Sequence, residues 1–115
     1  MKIKDSNLTI NVLSLARSIS FYESIGLKLE NRWGEHYAKL TAPGLSIGLH
    51  PTRAENLKGN SGNTSIGFTC ENFEEVKDHL KKLSITVKER HEEGGEFLHF
   101  EDPDGTAIYF IKPKW

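Results

Sequence analysis

Three side chains that could do chemistry lie close together near the end of the chain: His99, Glu101 and Tyr109. Histidine is the usual general base near neutral pH, and His and Glu are also common metal ligands. If residues 96–101 form a regular strand, alternation places Phe97, His99 and Glu101 on one face. Tyr109 continues that face on the next strand, so His99 and Tyr109 are the candidate catalytic residues. The sequence does not specify the reaction.

A tight turn joins the two strands that position these side chains. Residues 96–101 and 107–112 flank Pro103, Asp104 and Gly105. Pro fixes the first central position of a turn, Asp suits the second, and Gly closes it. The other face of the predicted hairpin is apolar and carries Leu98, Phe100, Ile108 and Phe110.

The first half of the chain predicts one strand, one helix and three further strands. Alternation over residues 8–13 places Asn7, Thr9 and Asn11 on a polar face. Ser14 can cap a helix that ends at Gly26. The three later strands are predicted at residues 27–33, 36–42 and 45–50, and the last of them carries Ser46, Gly48 and His50 on one face.

The second half repeats this order after a linker. Residues 51–63 are polar and glycine-rich, which is typical of a connecting segment. Ser65 then opens an alternating strand, a helix with the apolar positions Phe73 and Leu80 follows, and strands are predicted at 85–90, 96–101 and 107–112. Adding 58 to a residue number in the first half carries apolar positions onto apolar positions, as Leu15 onto Phe73. We therefore predict a duplicated unit of strand, helix and three strands.

The chain resembles the vicinal oxygen chelate superfamily, which includes glyoxalase I, bleomycin and fosfomycin resistance proteins and extradiol dioxygenases. The resemblance rests on residues 15–27, LARSISFYESIGL, on residues 100–105, FEDPDG, and on the duplication. It implies an α+β fold in which two βαβββ modules of mixed sheet, with helices outside, enclose a cup. It also implies a single domain over 1–115, with module one at 5–50, the linker at 51–63 and module two at 64–112. A homodimer is common in this superfamily.

Metal-using members of the superfamily carry His or Glu at four strand positions. Carried onto this sequence, those positions are Asn7, Gly48, Ser65 and Tyr109. None of them supplies a good ligand for a divalent cation. The resemblance therefore predicts the scaffold without its usual metal site, and no cofactor is expected.

Two functions follow as alternatives. The first is metal-independent binding of a small organic ligand, for sequestration or sensing. The expected ligand-binding residues are Asn7, Asn11, His50, Ser65, Phe97, His99, Glu101 and Tyr109. The second is a metal-dependent lyase, isomerase or dioxygenase that holds its ion off-pattern with His50, His99 and Glu101, a plausible ligand set by residue type. A metal-free enzyme and an interaction subunit without a small-molecule site stay open beside them.

Composition limits the other classes of partner. The 115 residues include 15 Lys and Arg against 16 Asp and Glu, for a net charge of −1, so nucleic acid is not an expected partner. No apolar run approaches a membrane span, and MKIKDSN has no apolar core of a signal peptide, which leads us to expect a cytoplasmic protein. The single cysteine, Cys70, lies in an apolar strand pattern and is expected to be buried and structural.

Overall fold

The computed structural model describes residues 1–57 and 64–114. They form two compact units, one on each side of residues 58–63. The first unit contains β1 (Leu8–Val12), α1 (Leu15–Ser24), β2 (Lys28–Trp33), β3 (Tyr37–Ala42), β4 (Leu45–Pro51) and a short 3-10 helix (Ala54–Asn56). The second contains β5 (Ser65–Thr69), α2 (Phe73–Lys82), β6 (Lys88–Glu92), β7 (Gly95–Glu101) and β8 (Ala107–Pro113).

Each unit folds into one four-stranded mixed sheet. Sheet 1 has the strand order β1-β4-β3-β2, and sheet 2 has the equivalent order β5-β8-β7-β6. In both sheets the first strand pairs in parallel with the last, while the other pairings are antiparallel. The predicted α+β class with two βαβββ modules is confirmed.

The two helices begin and end at residues 58 positions apart. Ser14 caps α1 by accepting a hydrogen bond from the Arg17 amide, and Asn72 caps α2 by accepting one from the Glu75 amide. After the helices, Gly26 has φ +111° and Ser84 has φ +60°. The duplication therefore extends to the backbone conformation at both helix ends.

Each sheet buries one face against its own helix. In the first unit Leu15, Ile19 and Tyr22 of α1 are buried, as are Leu40 and Leu49 of the sheet. In the second unit the buried apolar residues include Phe73, Leu80, Leu98, Phe100 and Ile108. This burial of apolar surface is the main source of stability in each unit.

Cys70 belongs to the buried part of the second unit, as expected. Its thiol is the donor of a contact to the Ile111 carbonyl, with sulfur and oxygen 3.5 Å apart. Burial raises the pKa of this thiol, which keeps it protonated and poorly nucleophilic.

The strand predicted at about residues 85–90 is present, but its bounds were wrong, because the paired strand is Lys88–Glu92. The Ile85 amide bonds back to the Leu80 carbonyl and so completes the end of α2, as the Leu27 amide does with Tyr22 in the first unit. Ile85 and Val87 are half-buried residues of this connection, so their alternation does not mark a strand. The other predicted strand bounds agree within two residues.

The predicted linker lies only partly within the described residues. Pro51 ends β4 and the 3-10 helix follows, whereas residues 58–63 lie outside the described part. No helix of the described chain is long and apolar enough to cross a membrane.

Candidate functional site

Each sheet has a face that turns away from its helix, which we call the distal face. Strand alternation places Tyr37 and Lys39 on the distal face of sheet 1, since Ala38 and Leu40 are fully buried. On sheet 2 the same alternation places His99 and Tyr109 on the distal face, opposite buried Leu98 and Ile108. The register of the β7–β8 pairing places Phe97, His99 and Glu101 on one face of sheet 2, as predicted from the sequence.

Three polar side chains form a closed hydrogen-bonded triangle on sheet 1. The Asn7 Nδ2 group donates to Thr9 Oγ1 and to Tyr37 Oη, each at 3.1 Å. The two hydroxyl oxygens of Thr9 and Tyr37 are also 3.1 Å apart. We call this group the Asn7 triad. Asn7 is one of the ligand-binding residues predicted from the sequence, and Thr9 lies on the polar face predicted for the first strand.

The Tyr37 side chain crosses the middle of sheet 1 above Gly48. Tyr37 lies on β3 and Thr9 on β1, with β4 between these two strands. A Cβ atom at position 48 would overlap the Tyr37 hydroxyl and ring, and would approach Thr9 Oγ1 to 3.0 Å. Gly48 is therefore the residue that lets the phenol reach the Asn7 triad.

Lys39 is a cation on the distal face of sheet 1 that contacts two carboxylates. Its Nζ atom lies 3.6 Å from Asp5 Oδ2 and 3.7 Å from Glu30 Oε1. The hydrogen bond from the Ser6 backbone amide lowers the pKa of Asp5, and the positive charge of Lys39 lowers it further. Lys39 was not among the residues predicted from the sequence, although its alternation with Ala38 and Leu40 would have placed it on this face.

Three rings form an aromatic cluster on the distal face of sheet 2. The Phe97 and His99 rings stack with centroids 5.6 Å apart and planes 15° apart. Tyr109 tilts toward both rings, with centroid distances of 5.9 Å to Phe97 and 5.8 Å to His99. All three side chains are half-buried. The sequence predicted this grouping correctly, since it depends only on strand alternation and the hairpin register.

Tyr109 also lies over a glycine. It is paired with Gly67 of β5, and a Cβ atom there would overlap the phenol and lie 2.6 Å from Tyr109 Cε2. Both sheets thus carry a tyrosine ring over a glycine of a neighbouring strand. From the sequence, Gly48 was noted only as a position where the resemblance implies a metal ligand and Gly67 was not noted at all, because their contacts with the tyrosine rings depend on the pairing of distant strands.

The other predicted ligand residues lie around these groups. Asn11 and His50 are exposed and pair across β1 and β4. Ser65 and Glu101 are exposed on either side of Ala107 at one end of sheet 2. The structure places all eight predicted residues on distal faces or at their edges, five on sheet 2 and three on sheet 1.

The four positions at which the resemblance implies metal ligands do not fit a divalent cation. Asn7 is held in its triad, Gly48 offers no side chain, Ser65 is a weak neutral donor, and Tyr109 covers Gly67. In residues 1–57 and 64–114, no three His, Cys, Asp or Glu side chains come together as a metal-binding group. The off-pattern set of His50, His99 and Glu101 therefore gains no support.

The carboxylates of the turn are explained by the backbone. Asp102 Oδ1 accepts hydrogen bonds from the amides of Asp104, at 2.8 Å, and Thr106, at 2.9 Å. The Gly105 amide closes the turn on the Asp102 carbonyl. These contacts assign Asp102 a structural role in the hairpin.

Comparison with known proteins places the whole chain in one family. Residues 6–110 match the family described as Glyoxalase/Bleomycin resistance protein/Dioxygenase superfamily. A Bacillus subtilis (strain 168) protein named "Probable trivalent organoarsenical cleaving enzyme" is 35% identical over 116 residues, which cover 98% of this chain and 70% of that protein.

Two solved structures show the same fold at low sequence identity. The fosfomycin resistance protein FosX from Listeria monocytogenes, complexed with Mn(II) and sulfate, has a TM-score of 0.81 at 20% identity, over 99% of this chain and 93% of that one. A bleomycin-binding protein complexed with bleomycin has a TM-score of 0.74 at 17% identity, over 97% of this chain and all of that one (100%).

Proposed function

Because the chain belongs to the Glyoxalase/Bleomycin resistance protein/Dioxygenase superfamily, we propose that it binds a small organic molecule on the distal face of a sheet without a metal ion. Such a protein sequesters or senses its ligand. The observation that carries the proposal is the Tyr37 phenol above Gly48, where the resemblance implies a metal ligand. The hydrogen-bonding phenol of Tyr37 thus occupies the space where the resemblance implies a side chain that binds a metal ion.

The Asn7 triad can both donate and accept toward a ligand. Asn7 uses its two amide hydrogens on Thr9 and Tyr37, and one of these hydroxyls must donate to the other. One hydroxyl hydrogen is therefore not used within the Asn7 triad and can be donated to a ligand. The Asn7 Oδ1 atom can accept a hydrogen bond from a ligand. This combination suits a hydroxyl, amide or carbonyl group of an organic molecule.

On sheet 2, the aromatic cluster offers an apolar surface to an organic ligand. Phe97, His99 and Tyr109 are half-buried and in mutual ring contact. Aromatic rings on a pocket wall stack well on flat organic groups. The named ligand of one structural relative, bleomycin, is itself a small organic molecule, which supports this class of function.

Ligand screening with targeted variants tests the proposal. We expect hits from a library of small organic molecules in a thermal-shift screen, followed by calorimetry. Tyr37→Phe should weaken the binding of ligands held by sheet 1 roughly tenfold, and Phe97→Ala should do the same for ligands held by sheet 2, while Ser20→Ala on the exposed surface of α1 leaves binding unchanged. A screen without hits, or hits whose affinity none of the distal-face variants changes, would overturn the proposal.

A metal-dependent lyase, isomerase or dioxygenase is the second candidate, since the Bacillus subtilis relative is named as a cleaving enzyme. Trivalent arsenic is a soft centre that thiolates bind well, yet the single cysteine of this chain is buried with a raised pKa. That chemistry on this chain would therefore depend on ligands other than its thiol.

Elemental analysis and turnover separate the two candidates. The enzyme hypothesis, with His50, His99 and Glu101 as ligands, requires close to one metal ion per chain after native purification. Less than about a tenth of an equivalent would reject it. Turnover that His99→Ala leaves unchanged would exclude His99 as a general base beside Tyr109.

A homodimer is part of the same proposal. The edge strand β2 exposes Leu29 and Trp33, which are 38% and 48% accessible. Exposed apolar groups on an edge strand suit association with a second copy. Sedimentation should give about twice the 13.0 kDa mass of the chain.

A further inference from the structure

Two cations of β6 lie beside the aromatic cluster. Lys88 is paired with His99 and Arg90 with Phe97 across the antiparallel β6 and β7 strands. Residues directly opposite in such a pair share a face, with Cβ atoms about 4.5–5.5 Å apart. The two cations therefore belong to the distal face of sheet 2, next to its stacked rings. Both are exposed.

The cations near β6 differ in their ion-pair partners according to the face of sheet 2 on which they lie. On the face toward α2, Glu89 binds Lys77 at 2.7 Å and His91 at 2.6 Å. On the distal face, no carboxylate of the described residues lies within 4.0 Å of Lys88 or Arg90. This pair of positive charges is thus available to an outside anion.

The acidic groups of the distal face lie at its two ends. Glu92 is opposite Gly95, and Glu101 is opposite Ala107. Between these two ends lie two cross-strand pairs, Arg90 with Phe97 and Lys88 with His99, which carry the cations and the aromatic rings. Positive charge and flat apolar surface are therefore adjacent in the middle of the face.

We propose that the ligand of this face is a planar organic anion, such as an aromatic carboxylate. Its ring stacks on Phe97 and His99, and its anionic group lies between Lys88 and Arg90. Positions two apart on a strand are separated by about 6.5–7 Å, which lets two long side chains converge on one carboxylate. The guanidinium of Arg90 can bind both oxygens of that carboxylate. The inference rests on the proposed function and specifies the chemical class of its ligand.

A matched pair of probes tests the charge requirement. Naphthalene carboxylate and naphthalene carboxamide share their ring and size, and only the first is an anion near neutral pH. Calorimetry should show the carboxylate binding about tenfold more tightly at low salt, with that preference reduced at about 0.5 M NaCl. Upfield ring-current shifts of the naphthalene protons, lost in Phe97→Ala, should show the stacking.

Two charge variants locate the anionic contact. Lys88→Gln combined with Arg90→Gln should reduce the preference for the carboxylate to about twofold or less. Lys112→Gln is the control, because Lys112 is an exposed cation of β8 opposite Glu96, on the other face of the same sheet. It should keep the full preference.

The outcomes separate this inference from the proposed function. Equal binding of the two probes, or a preference that Lys88→Gln with Arg90→Gln leaves intact, overturns the anionic class but not small-molecule binding. Failure of both probes to bind overturns this inference as well, while library hits that depend on the distal faces would preserve the proposed function. A library without hits overturns both.

Discussion

Two glycines determine where two tyrosine rings lie. Gly48 and Gly67 each sit beneath a phenol from a neighbouring strand, in space that any other side chain would fill. A glycine inside a strand weakens it, because glycine loses more conformational freedom on folding and offers nothing to pack. In this chain that cost is offset by the Asn7 triad on sheet 1 and by the ring contacts of Tyr109 on sheet 2.

The first prediction concerns Gly48→Ala. The new methyl group overlaps the Tyr37 phenol, so the ring must leave and its bonds to Asn7 and Thr9 are lost. We expect the free energy of unfolding to fall by about 1–3 kcal/mol, measured by urea denaturation.

Tyr37→Ala provides the control for that substitution. With the ring removed, Gly48→Ala should cost at least about 1 kcal/mol less than in the natural chain. Additive effects of the two substitutions would show that the ring does not determine the cost at position 48.

Some residues of the candidate site could be predicted from the sequence and others could not. The grouping of Phe97, His99 and Tyr109 follows from local rules, namely strand alternation and one tight turn. The contact between Tyr37 and Thr9 joins residues 28 positions apart and depends on a glycine in the strand between them. Such a contact depends on the register of three strands, and a local sequence pattern does not determine that register.

The elements of the second unit are joined by a charged contact between α2 and β6. Lys77 of the helix lies 2.7 Å from Glu89 of the strand, and Glu89 also contacts His91. The hydrogen bond from Lys77 is the largest cause that lowers the pKa of Glu89, and the hydrogen bond with His91 is the second. In turn, Glu89 raises the pKa of Lys77. The contact thus favours the ionised form of both partners.

The second prediction is a pH effect on this contact. A carboxyl whose pKa is lowered by folding stabilises the fold above its unfolded pKa, and loses that contribution as pH falls through the folded pKa. Lys77→Gln should therefore move the Glu89 pKa up toward its ordinary value, as followed by NMR titration. Lys82→Gln, an exposed cation of the same helix, should leave it in place. An unchanged Glu89 titration in Lys77→Gln would contradict the assignment.

The third prediction concerns the end of α2. Ser84 has φ +60°, a conformation that suits glycine, and Gly26 occupies the equivalent position after α1. Ser84→Gly should relieve this strain and raise the free energy of unfolding by about 0.5 kcal/mol, net of the entropy cost of glycine.

An exposed helical serine serves as the comparison for Ser84→Gly. Ser20→Gly lies within α1 and should lower the free energy of unfolding by about 0.5–1 kcal/mol. If both substitutions destabilise the protein equally in urea denaturation, strain at Ser84 is not significant.

The molecule as a whole is a duplicated unit, and this level of organisation was the most predictable from sequence. Caps, helix ends and buried positions recur 58 residues apart, since each is set by residues within one turn or one strand. The start of β6 was mispredicted because Ile85 and Val87 alternate like a strand while they complete the end of a helix. The two copies differ in their distal faces, with a polar triad on one sheet and an aromatic cluster on the other.

The central claim is that this scaffold binds an organic ligand without an ion. Calorimetric titration of the same ligand, a hit from the library screen, into the chain before and after exhaustive dialysis against a chelator tests it most directly. We expect the two affinities to agree within about twofold. Affinity that falls more than about tenfold after chelation, and returns when Mn(II) is added, would contradict it.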